Sequence, residues 1–132
     1  MKGFHANIEK DTRENENFRK VLYTGVHSQL VLMSLRPGED IGMEVHNDND
    51  QFFRFEQGHG KCVIDGVAHE VKDGSAIIVP AGAQHNIINT SDKEDLRLYT
   101  LYSPAHHKDK VICKTKLDAE RNHPEFDGTT TE

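Results

Sequence analysis

Four side chains with ligand chemistry mark the middle of this 132-residue chain: Glu44, His46, Gln51 and His85. Glu44 and His46 stand at i and i+2 between Gly38 and Gly58, and on a β-strand that spacing puts both on one face. A short polar loop, Asn47 to Asp50, hands over to Gln51 and a new strand. His85 follows within GSAIIVPAGAQHNIIN, Gly74 to Asn89. Two imidazoles, a carboxylate and an amide oxygen suit a borderline first-row divalent cation, with iron, manganese, nickel, copper and zinc all in range. With Glu44, His46 and His85 as three ligands and Gln51 as a fourth, an octahedral ion would keep about two positions for water or a bidentate substrate. The lack of thiolates in the set argues against a closed structural zinc site. Two alternatives stay open: a hydrogen-bonded polar cluster without a metal, and a Gln51 that supports the ligands instead of joining them. No catalytic acid or base stands out beyond this set.

Short segments punctuated by Gly and Pro must position these residues. Strands are expected over 19–24, 29–35, 41–46, 51–57, 61–64, 67–71, 76–79, 85–89 and 96–103. Asp65-Gly66 suits the type I′ turn of a hairpin. Gly3 to Ile8 alternates as a further short strand, and Asp11 to Asn17 reads as a turn or a single helical turn. After Pro104, Thr115 is placed to cap a helix over 116–122 with Asp118 in box position, and DGTTTE reads as a frayed tail. The expectation is an all-β antiparallel sandwich or barrel with a short C-terminal helix. It forms a single domain over 1–132, with a barrel core about 19–103 and an extension over 104–132.

Strand parity aims Glu44, His46 and Gln51 inward together with Gly42, Phe53 and Phe55, and His85 together with Ile87. That predicts an apolar funnel with a polar floor, the common form of a small-molecule site. Met43, Val45 and Phe52 then face outward, and with an N-terminal strand free to join a neighbouring sheet they predict a homodimer. Of the nine histidines, His106 and His107 follow the last strand after Pro104, where a place over the barrel mouth is an alternative to a plain surface position. His59 and His69 read as surface residues, and His5, His27 and His123 have no partner spacing. The loop 47–50 lacks the Gly and the distal Glu of a calcium loop.

A formal net charge of -6 and no basic run argue against nucleic acid or an anionic membrane as partner. No apolar run is long enough to span a bilayer and no apolar leader is visible, so a cytoplasmic protein is expected. Cys62 and Cys113 are far apart and suggest neither a disulfide framework nor a thiol zinc site.

The spacing of these residues resembles the cupins. The second cupin motif is matched at Gly74, Pro80, Gly82, His85 and Asn89, and the first at Gly38, His46 and Gly58. Two positions depart: Glu44 stands where a first His is usual, and Gln51 where a Glu is usual. One position gains a carboxylate and the other loses one, so the ligand charge is conserved and the site looks rearranged instead of lost. The resemblance implies a small jelly-roll β-barrel. It also implies a divalent metal acting on a small oxygen-rich substrate (a sugar, sugar acid or keto acid). The ion would grip two substrate oxygens and stabilise an enolate-like species. Sugar isomerases of the mannose-6-phosphate type, which mix Gln, His and Glu ligands, are a loose likeness that favours isomerase chemistry. With iron(II) and oxygen the same site would suit a dioxygenase, and a non-catalytic ligand-binding or sensing module is the alternative from another class.

Overall fold

Two antiparallel sheets enclose the apolar faces of the strands. The computed structural model describes residues 1–132. After helix α1 (Ile8–Glu14) come β1 (Arg19–Thr24), β2 (Gln29–Leu35), β3 (Glu44–Val45), β4 (Asp50–Gln57) and β5 (His59–Ile64). They are followed by β6 (Val67–Lys72), β7 (Ala76–Val79), β8 (Gln84–Asn89), β9 (Leu96–Ser103), β10 (Ile112–Cys113) and α2 (Lys116–Arg121). The larger sheet has the order β10-β1-β2-β9-β4-β7 and the smaller β3-β8-β5-β6, the jelly-roll arrangement. Between them lies one cluster of buried apolar side chains, with Val31, Met33, Phe53, Phe55, Ile87, Leu96 and Leu98 among its members.

Local chemistry accounts for the joints. Asp65 and Gly66 have φ of 44° and 80°, both in the left-handed region that a type I′ hairpin turn requires. Asn89 is buried at the end of β8, where its Nδ2 donates to the carbonyls of Leu35, Arg36 and Glu94. Its Oδ1 accepts from the backbone N–H of Ser91, so one amide ties three chain segments together. Gly58 has φ +87°, and a Cβ there would meet the Asp95 carbonyl oxygen at 2.5 Å. A Cβ on Gly60 would strike the Ile88 carbonyl.

Several expectations need correction. Gly3 to Ile8 forms no strand. The chain instead enters α1 with Asn7 as N-cap, its side chain accepting from the Lys10 N–H at 3.2 Å. Asn and Asp are about equally good caps, and Asn7, four residues earlier, takes up the first orphan N–H groups. The strand expected over 41–46 is reduced to Glu44–Val45, because Gly42 turns to φ +111° and its N–H is taken by the Asn86 side chain. The C-terminal tail is not frayed: Thr131 N–H donates to the Thr24 carbonyl, and Tyr23 O–H donates to the Glu132 carboxylate. Strand β10, too short to read from periodicity, pairs Ile112 and Cys113 with Lys20 and Arg19. The α2 capping box between Thr115 and Asp118 forms as expected. Met43 and Val45 are exposed, whereas Phe52 is half-buried, 6.4 Å from the Tyr99 ring.

Two outcomes follow for stability. Asn89→Ala strands buried carbonyls and one N–H, and should cost about 2–4 kcal/mol in urea unfolding. A loss below about 0.5 kcal/mol would mean that water replaces the amide. Burial raises the Cys62 thiol to about 11. A group raised in the folded state contributes stability that is fully present below its unfolded value, near ~8.5, and is lost as pH climbs to the folded one. Between pH 9 and 11 the parent should therefore lose stability more steeply than Cys62→Ala; parallel curves would contradict it.

Candidate metal centre

The smaller sheet sets the first two ligands opposite each other. In the β3–β8 pair Glu44 is directly across from His85, so both side chains share the inward face. His46 follows β3 and is pinned by its carbonyl, which accepts from the Gly82 N–H at 2.9 Å. The Gly82 turn thus fixes His46 and leads the chain into His85 three residues later. Glu44, His46 and His85 bring their candidate ligand atoms within 4.8 Å of one another.

Protonation is set by the backbone. Nδ1 of His85 donates to the Ala83 carbonyl at 3.1 Å, which leaves Nε2 as a bare acceptor. That Nε2 is buried with no hydrogen-bond partner. Burial pushes His85 below the usual imidazole range, against the opposing pull of the Ala83 bond. Nε2 of His46 lies 2.9 Å from Oε2 of Glu44 and donates to it. Burial pushes the Glu44 carboxyl up, but the His46 bond and the charges of His46, Arg19 and His85 outweigh it and hold it below the usual carboxylate range.

Gln51 arrives from the other sheet, on β4, opposite Tyr102 of β9. The Tyr102 ring is 5.8 Å from His46, and the ring of Phe53, two residues on from Gln51, is 6.2 Å from His85. The Gln51 amide has one possible orientation. Thr100 must donate its hydroxyl hydrogen to the Phe52 carbonyl at 2.8 Å, so its oxygen accepts from Nε2 of Gln51 at 3.0 Å. Oε1 of Gln51 is then left buried without a partner.

His106 and His107, whose role the sequence leaves open, line the cavity beside the candidate centre. Gln29, fully buried, accepts from the backbone N–H groups of both and donates to the His107 carbonyl. The His106 ring lies 4.3 Å from that of His46. His107 turns inward, where burial lowers it to about 2 and its Nε2 accepts from Tyr102 O–H at 3.1 Å. Burial, the largest influence, likewise raises Tyr102 well above the usual phenol range.

Above Glu44 opens a cavity of about 220 Å³, walled by Arg19, Ile41, His106, Lys116 and Glu120 among others. The expected apolar funnel is not what forms. Phe53 and Phe55 are spent in the core, at 1% and 0% exposure, and only three of eleven lining residues are hydrophobic. Parity correctly aimed the two rings inward, but the interior is thick enough that they fill it below the cavity. His59, His69, His5, His27 and His123 are exposed, although His123 reaches the cavity rim. Sequence reasoning missed Arg19, Gln29 and Thr100. Each is a polar residue at a buried-parity position of a strand, and that was the only available signal.

A model of the cupin domain matches residues 31–102. The uncharacterized protein YrkC of Bacillus subtilis is 45% identical over 124 residues, covering 89% of this chain and 66% of that protein. An uncharacterized protein of Acanthamoeba polyphaga mimivirus is 45% identical over 105 residues, covering 77% of the chain and 66% of that protein. The chain thus spans just under two thirds of the length of both. The crystal structure of BH2720 from Bacillus halodurans superposes with a TM-score of 0.89 at 40% identity, covering 92% of this chain and 96% of that one.

The Thr100 hydroxyl is the hinge of the Gln51 arrangement. Thr100→Val keeps the volume but leaves the Gln51 amide hydrogens unpaired, and should destabilise the fold by about 1–3 kcal/mol. Unchanged denaturant midpoints would show that the amide turns over and pairs elsewhere.

Proposed function

We propose that this chain, which belongs to the cupin family, is a metal-dependent enzyme acting on a small oxygen-rich molecule, with isomerase-like proton transfer favoured. Glu44, His46, Gln51 and His85 would hold a first-row divalent cation. The observation that carries the reading is the pair of buried acceptors without partners, Oε1 of Gln51 and Nε2 of His85. Each such atom costs about 1–3 kcal/mol if nothing approaches it. Nε2 of His85 stands with His46 and the half-buried Glu44 carboxylate, and Gln51 comes from the facing sheet, a donor set that fits a cation. Its charge, one carboxylate with neutral imidazoles and an amide, equals that of the usual cupin set, reached by exchanging positions. The cation would supply Lewis acidity toward a substrate oxygen.

The chain's own residues supply the rest. The cavity above Glu44 admits only a small molecule. His106 stands on its wall beside His46, held by Gln29, and is the group placed to take a proton from a substrate carbon or hydroxyl. Tyr102 and His107, bonded to each other, pack their rings against that imidazole.

Titrating manganese into the parent and three variants tests the ligand set. Glu44→Gln leaves the ligands uncharged and should weaken binding by about 10–100-fold or more. Gln51→Glu should tighten it. The double change Glu44→His with Gln51→Glu restores the common set and should bind about as the parent does. If Glu44→Gln binds as tightly as the parent, Glu44 is no ligand and the rearranged centre is wrong. Incubation in D2O with a panel of small keto sugars and keto acids should show exchange beside the carbonyl with the loaded parent and none with His106→Asn. Exchange with no member of the panel would favour a binding module over an enzyme.

A further inference from the structure

Arg19 carries a guanidinium that makes no hydrogen bond and no ion pair within the fold. It is 6% exposed, at the first position of β1, with its backbone paired to Met33 and Cys113. Its Nε is buried with no hydrogen-bond partner, and the side chain joins none of the ion pairs of the fold. Its guanidinium carbon lies 5.5 Å from the Phe18 ring, and its charge acts on the Glu44 carboxylate without a hydrogen bond between them. The side chain lines the cavity that Glu44 floors. Burying an unpaired cation costs several kcal/mol, and a guanidinium fork is satisfied best by the two oxygens of a carboxylate.

The other charges around the cavity are already engaged or exposed to solvent. Lys116 donates to Asp40 at 2.6 Å and lies 4.0 Å from Glu120. Glu44 accepts from His46. Glu120 and Glu125 are exposed at the rim. Arg19 alone is buried, charged and free. We propose that Arg19 anchors the carboxylate of the substrate, so that the pocket takes a small organic acid whose second oxygen reaches toward Glu44, His46 and His85. Among oxygen-rich molecules this selects acids over neutral sugars. A cavity of 220 Å³ has room for about seven waters' worth of liquid volume, which suits a short acid. The inference rests on the reading of the centre as a small-molecule site, and it names the class of molecule.

Pyruvate and hydroxyacetone differ at the end that matters, carboxylate against neutral alcohol. Calorimetric titration of each into the full chain, after chelation and again with manganese, measures the preference. The parent should bind pyruvate at least tenfold more tightly than hydroxyacetone in both states. Arg19→Gln should abolish the preference, and Arg19→Lys should keep part of it. Equal binding by the parent, no pyruvate binding by the parent, or an Arg19→Gln protein that keeps the preference would each overturn the proposal. If Arg19→Gln does not fold, the parent's own preference and Arg19→Lys decide. Manganese titration without acid separates the two readings. A parent that takes no manganese yet prefers pyruvate through Arg19 refutes the metal centre alone. One that binds manganese without the preference refutes only the carboxylate anchor.

Discussion

The register of β3 against β8 is the constraint from which the rest of the site follows. Because side chains alternate faces, Glu44 and His85 meet inside the barrel only while they remain direct partners, and a slip of β3 by one residue would turn Glu44 to solvent while β5 keeps His85 inward. Strand β3 is two residues long and cannot hold that register by itself. The turn at Gly82 does so by capturing the His46 carbonyl. Upstream, Gly42 N–H bonds the Asn86 side chain and Ile41 N–H bonds the Ile87 carbonyl. Asp65, at the tip of the β5–β6 hairpin, accepts from the Gln84 N–H and fixes the far end of β8. Residues that never approach the centre thus decide where its ligands point.

A second constraint is the cost of polar groups inside a closed barrel. The structure meets it almost everywhere with chains of bonds: Thr100 between Phe52 and Gln51, Gln29 among Thr24, His106 and His107, and His107 with Tyr102. Against that background the unsatisfied atoms stand out. His85 Nε2 belongs to the candidate centre, Gln51 Oε1 lies on the facing sheet, and Arg19 lines the cavity. Thr12 Oγ1 and Nε of Arg13, Arg54 and Arg97 are the others, and of those three arginines each has an ion pair elsewhere on its guanidinium or at that atom. A fold that satisfies Gln29 completely has the means to satisfy Arg19 as well. That it does so nowhere within the chain is why an external partner is the better physical account.

The strands, their turns and the inward aim of Glu44, His46, Gln51 and His85 were legible because each depends on local spacing: period two, Gly at left-handed φ, Pro in turns. The helix cap at Thr115 was legible for the same reason. What was hidden depends on the third dimension. Arg19 opens a strand-like run, RKVLYT, in which its parity with Val21 marks it as inward, yet a lone Arg at a strand start reads as surface. Gln29 also begins its strand, and only the return of residues 105–107 across its end gives the amide something to hold. The apolar funnel failed because parity gives direction but not depth: Phe53 and Phe55 point inward and are consumed by the core. The N-terminal helix was misplaced because the capping residue, Asn7, precedes the polar run that seemed to start it.

The chain carries net negative charge while the group proposed to recognise the substrate is a cation, and the two facts are compatible. Long-range repulsion of an anion by surface carboxylates is screened beyond about 8 Å at physiological salt, and it slows arrival more than it weakens the bound state. Arg19 lines the same cavity as the exposed Glu120 and Glu125, and because it is itself buried, a charge pair there is worth more than in bulk water. An acidic rim over a buried guanidinium therefore admits anions slowly and holds only those that can satisfy the fork. Neutral sugars meet no such barrier, but they leave Arg19 unpaired on entry. Selectivity between the two classes would then rest on the penalty for an unmatched charge, a stricter criterion than shape alone.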